Sequence, residues 1–141
     1  MSTSGAAKLG TQAFVGLFIA AFVALLLIPE AEPDPQSLEK LSCRAESVAL
    51  HQALNARYGT AEDAPSFVPE FEDRFRELGR IERSLNQSQP GRFAAEFRQF
   101  MVSAEARRDA AVAASPDNYE TSAWSEVQRC HEAIIAQRDP Q

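Results

Sequence analysis

From Ala13 to Ile28 the chain runs for sixteen residues without a charge or a side-chain amide. With Leu9 to Gln12 and Pro29 added, the stretch of low polarity reaches 21 residues, roughly 31 Å as a helix, which matches the hydrocarbon thickness of a bilayer. A secretory h-region is shorter, about 7 to 15 residues, and is followed by small residues at the cleavage point. Here the junction reads Leu27-Ile28-Pro29-Glu30-Ala31, where a bulky Ile and a Pro stand in place of them. The run therefore reads as a single transmembrane signal anchor over residues 13–29 behind a short N-terminus, 1–12, with a cleaved signal peptide as the alternative. Lys8 and the amino terminus lie before it, while Glu30, Glu32 and Asp34 follow. That asymmetry places the N-terminus in the cytoplasm and the rest of the chain outside.

Within the run, side-chain size is sorted by helix face. Phe14, Phe18 and Phe22 recur every four residues, and Gly16, Ala20 and Ala24 recur in the same way on nearly the opposite side. A smooth face lets helix backbones approach closely in lipid, so Gly16, Ala20 and Ala24 are candidate contacts for a second membrane helix, from a protein partner or from another copy of the chain. Residues 30–36 follow with prolines and acids, the composition of a short extended stalk.

Beyond the stalk, residues 37–138 keep the helical period to the end, and no alternating strand pattern interrupts it. The expected fold is all-α, an antiparallel four-helix bundle. Asp34 and Pro35 form an N-cap and first-turn pair for a helix that stops at Gly59. This helix carries two apolar stripes, Leu38/Leu41/Ala45/Val48 and Leu50/Leu54/Tyr58, on nearly opposite faces. The second helix spans about Pro69 to Asn86 with Phe71, Phe75, Leu78 and Leu85 inward. Its pairs Glu70–Arg74 and Glu72–Arg76 read as a solvated face. The third places Phe93, Phe97, Phe100, Ala104 and Ala111 on one side. The fourth starts at Ser115–Pro116 and aligns Ala123, Val127, Cys130 and Ile134 up to about Gln137. Short connections predict that consecutive helices are antiparallel neighbours.

Residues after Pro29 hold 13 basic and 20 acidic side chains, a formal charge of −7. That balance, with no basic run, excludes nucleic acid as an expected partner. Neither His51 nor His131 stands in metal-ligand spacing, no Ser or Cys sits in a nucleophile turn, and no Gly-rich phosphate loop occurs. No catalytic residue, metal or cofactor is expected, and both histidines read as structural. The aromatic ladders Phe67/Phe71/Phe75 and Phe93/Phe97/Phe100 read as core, with a cavity for an apolar ligand between them as the alternative.

Cys43 and Cys130 are the only cysteines. One lies about 12 Å above the start of the first helix and the other about 10 Å before the end of the fourth, levels that coincide in an up-down-up-down bundle. An intramolecular disulfide is expected in an oxidising compartment. Cys43 falls on the Leu50 and Leu54 side of its helix, so a bridge between two chains is the alternative should the Leu38 and Leu41 stripe face the bundle. Taken together, the layout is that of a bacterial inner-membrane protein with a periplasmic helical domain. It points to a non-catalytic accessory or adaptor protein of a larger membrane complex, or alternatively to a module that binds a small apolar ligand.

Overall fold

Helix boundaries follow the local chemistry read from the sequence. A computed structural model of the protein describes residues 32–138 and contains four helices: α1 Pro35–Tyr58, α2 Val68–Ser88, α3 Ala94–Ala114 and α4 Pro116–Arg138. The described residues hold no strand, and none of their helices is long and apolar enough to cross a membrane. The 13–29 run, with Gly16, Ala20 and Ala24, lies outside the described residues. Asp34 caps α1 by accepting from the Ser37 backbone N–H at 3.3 Å, and Pro35 occupies the first turn, where its missing N–H costs nothing. Pro35 and Gln36, read as the end of the stalk, thus form the first turn of α1. Gly59 ends that helix at φ 58°, a left-handed conformation that glycine adopts without strain, and its N–H returns to the Asn55 carbonyl at 3.0 Å. Ser115 starts α4, accepting from the Asn118 N–H at 3.4 Å.

The chain divides into two units, Met1–Glu32 and Pro33–Gln141, and all four helices belong to the second. There α1 and α4 are antiparallel: Glu39 meets Gln137 at one end and Arg57 meets Glu120 at the other. Arg44 with Glu82 and His51 with Glu72 set α1 and α2 antiparallel as well. One sequence expectation fails. α1 packs against all three other helices and α4 also touches α2 and α3, but α2 and α3 do not pack against each other. Around the bundle the order is α1, α2, α4, α3, with α1 and α4 forming the close central pair. The turn Gln89–Phe93 is short in sequence, yet it joins two helices that each pack on α1 and α4 and not on each other, so connection length does not fix adjacency here.

This arrangement gives both stripes of α1 a partner. Cys43, Leu50 and Leu54 join Phe71, Leu78, Ile81, Tyr119, Val127 and Ile134 in the main core. On the other side Ala45 and Ala49 meet Ala104, with Phe97, Phe100 and Met101 around them. Three alanines in contact let α1 and α3 approach closely. The described residue with the most exposed large apolar side chain is Val102, on the outer side of α3, at 63%.

The face of α2 predicted to be solvated is partly an interface. Arg74 does pair with Glu70 at 2.9 Å, but it also reaches His131 and Glu132 on α4. Arg76 bonds Asp73 rather than Glu72, whose carboxylate faces His51. Across the α1–α2 contact, Arg44 bonds Glu82 at 2.8 Å and the Phe75 carbonyl at 3.1 Å while lying 4.3 Å over the Phe75 ring. Gly79 makes room for it, because a Cβ there would stand 3.3 Å from the Arg44 guanidinium. A glycine inside a helix costs about 1 kcal/mol relative to alanine, and the contacts of the half-buried guanidinium offset that loss.

Candidate functional site

The two cysteines named from the sequence meet. Cys43 and Cys130 form a disulfide within the chain, with Cα atoms 5.8 Å apart, and both are buried. The objection that Cys43 lies on the wrong side of α1 disappears because that side faces α4. Nothing in the bridge invites exchange chemistry: its sulfurs are enclosed by Val127, Ile134 and the rest of the core.

His131 is buried between α2 and α4. Its Nδ1 lies 3.0 Å from Arg74 Nη1 and its Nε2 lies 3.1 Å from Glu77 Oε2. A guanidinium only donates and a carboxylate only accepts, so this pair of partners assigns the proton to Nε2. Both ring nitrogens are thereby used in holding α2 to α4. His51 stacks on Phe75 at 4.2 Å and touches Asn55 at 3.3 Å. Among the described residues no group of His, Cys, Asp and Glu could hold a metal ion.

A groove lies where the C-terminal halves of α1 and α3 part over the start of α4, with a volume of about 710 Å³. Its origin can be followed along α1. The alanine row Ala45, Ala49, Ala53 and Ala56 first packs tightly on Ala104, then faces Val112 and Ala113 with nothing between to fill the space. Pro116 and Glu120 of α4 close the bottom. Glu120 is only 5% exposed. Arg57 donates to its Oε1 at 3.0 Å and Tyr58 to its Oε2 at 2.9 Å, while Arg57 also bonds Asp117 at 2.8 Å. At the opposite end Arg108 pairs with Asp109 at 2.9 Å and donates to Gln52. Burial and the bond to Glu120 raise the Tyr58 phenol above its usual value. No family model, curated protein or solved structure matches the chain.

Beside this groove Tyr119 is 8% exposed, and its hydroxyl is buried with no hydrogen-bond partner. Burial, with Glu46 nearby, pushes that phenol up to about 12. Both tyrosines of the chain are therefore shifted the same way. An unfolded tyrosine ionises near 10, so stability is fully present below about pH 10 and is lost as the pH rises toward 12. An ultraviolet titration of the native chain is expected to show Tyr119 still protonated at pH 10 and ionising only toward 12 or on unfolding, with Tyr58 ionising above its usual value. A normal tyrosine transition centred near 10 would refute this.

The aromatic ladders do not enclose a cavity between them. Phe67, Phe71 and Phe75 pack with Trp124 and His51 in the main core, whereas Phe97 and Phe100 pack on the other side of α1. The observed groove instead has small residues, Ala53, Ala56, Val112, Ala113 and Pro116, for its apolar walls, and small residues do not show where the space in front of a helix is left unfilled. The sequence carries one signal for it: Glu120 extends the inward series Ala123, Val127, Cys130 and Ile134 of α4 by one step, and an acid on an apolar stripe requires a partner.

Proposed function

We propose that this chain is a membrane-anchored, non-catalytic accessory protein. It contacts a larger membrane or envelope complex through the apolar 13–29 run, by way of Gly16, Ala20 and Ala24, and through the acidic end of its helical domain. The observation that carries this reading is the partition of charge along the bundle. Interhelical pairs such as Glu39–Gln137, Arg44–Glu82 and Arg107–Glu46 fix which residues stand at the same height. The half in which α1 begins, residues 33–45, 74–104 and 127–138, holds ten basic and six acidic side chains. The other half, residues 46–73 and 105–126, holds three basic and eleven acidic ones. A formal charge of −8 is thus concentrated at one end. Such a surface favours a basic partner, speeds its encounter and disfavours anionic ones. The buried disulfide supports an oxidising, extracytoplasmic setting for the domain, as the anchor reading requires.

A pull-down of the full chain in mild detergent tests the proposal. A stoichiometric partner is expected, retained at low salt and lost when the 13–29 run is replaced by an unrelated anchor. Glu62 and Asp63 are exposed and carry no ion pair among the described residues. Their reversal, Glu62→Lys with Asp63→Lys, is expected to slow association about tenfold, in proportion to the field removed. Recovery of the chain with no stoichiometric protein would overturn the reading.

A further inference from the structure

We infer that the groove between α1, α3 and α4 is a binding site for a small, uncharged, largely apolar molecule bearing a hydroxyl or similar hydrogen-bond donor. This rests on the groove alone and is independent of the accessory role. At about 710 Å³ the groove falls within the range of small-ligand sites, about 300 to 1,000 Å³. Its walls are Ala53, Ala56, Val112, Ala113 and Pro116, surfaces that gain by losing water but offer an occupant no polar anchor.

The charges around it decide the ligand's class. Arg57 is held by Asp117 and Glu120, and Arg108 by Asp109 and Gln52, so a charged ligand would have to break a pair to be received. Glu120 offers something different. A carboxylate has about four acceptor positions, and Arg57 and Tyr58 use one on each oxygen, which leaves capacity for a donor from the groove side. The wall on α1 runs only from Gln52 to Arg57 and that on α3 from Arg108 to Ala113, about 8 Å each. That is too short for a docked partner helix, whose anchors at i, i+3, i+4 and i+7 span about 10 Å. A compact small molecule fits both dimensions and chemistry.

Glu120 also ties the end of α1 to the start of α4, so its loss alone would not separate a ligand site from a structural tie. The test therefore uses labelling of the full-length chain in lipid nanodiscs with 4-(hydroxymethyl)benzophenone, a neutral apolar photoprobe with one hydroxyl. Mass mapping after irradiation is expected to find saturable insertion in peptides covering residues 52–57 and 108–116. Filling the groove with Ala56→Leu and Ala113→Leu, at two exposed positions, is expected to reduce that labelling at least about tenfold, equivalent to about 1.4 kcal/mol of binding. Ala113→Leu by itself serves should the double variant lose its disulfide or its helical circular dichroism. Glu120→Gln, which keeps an acceptor for Tyr58, is expected to reduce labelling several-fold. The anionic analogue 4-benzoylbenzoate is expected to label the groove about tenfold less. Insertion that is unsaturable, confined to residues 13–29, equal for the two probes or unchanged by the leucine variants would overturn the inference. So would loss of the pull-down partner in the leucine variants without saturable labelling, which would give the groove to a protein side chain. Loss of the partner on anchor replacement bears only on the accessory reading.

Discussion

Removal of the Cys43–Cys130 bridge, by reduction or in a Cys43→Ala/Cys130→Ala chain, is expected to cost about 4 to 5 kcal/mol of domain stability. The two cysteines are 87 residues apart, so the bridge closes almost the whole domain into one loop. Its main effect is on the unfolded chain, which loses the freedom to separate α1 from α4. Natural domains have only about 5 to 15 kcal/mol in hand, so the reduced protein would be marginal. For a domain of this size each kcal/mol moves the melting temperature by roughly 4 °C or more, and a fall of roughly 20 °C is expected in thermal circular dichroism. A fall of less than about 5 °C would refute the estimate. Native mass measurement under non-reducing conditions should find the chain two hydrogens lighter than its sequence. The buried position of both sulfurs further implies that reduction under native conditions waits on unfolding.

Phe71→Ala is expected to cost about 3 to 5 kcal/mol, the range for emptying a fully buried aromatic site. Phe71 has no exposed surface and stands where three elements meet. Its ring contacts Phe75 at 5.8 Å on its own helix, His51 at 6.4 Å on α1 and the edge of Trp124 at 6.2 Å on α4. Backbone on three helices cannot collapse around the space it leaves, so most of the cavity should persist. Trp124 is the single tryptophan, and its emission is expected to shift to longer wavelength as water reaches the Phe67 and Phe71 side. Denaturant unfolding checks the energy, and a loss below about 1 kcal/mol would show that the site repacks. Val102→Ala, on the exposed side of α3, provides the comparison and is expected to change stability by less than about 0.5 kcal/mol.

These two substitutions mark the boundary between what the residues determine locally and what packing decides. The first turn of α1 at Asp34–Pro35, its stop at Gly59 and the start of α4 at Ser115–Pro116 depend on capping bonds and backbone freedom within a few residues. Such signals are complete in the sequence. The inward rows Phe71/Leu78 and Ala123/Val127/Cys130/Ile134 were legible for the same reason, since helical period alone aligns them. The level match of Cys43 and Cys130 followed from helix rise and the antiparallel setting of the first and last helices. The order of helices around the bundle did not follow, because a five-residue turn permits α3 to lie beside α2 or across α1, and only the fit of Ala45, Ala49 and Ala104 selects the second. That choice gave the Ala45 side of α1 its cover and left α2 and α4 on the side of Cys43, Leu50 and Leu54, where part of the supposed solvent face of α2 makes the Arg74–His131–Glu77 contact. It also left α1 and α3 parted over Glu120. Side-chain period tells which face of a helix is apolar, whereas which helix covers that face, and where a gap remains, depends on volumes contributed by residues far apart in the chain.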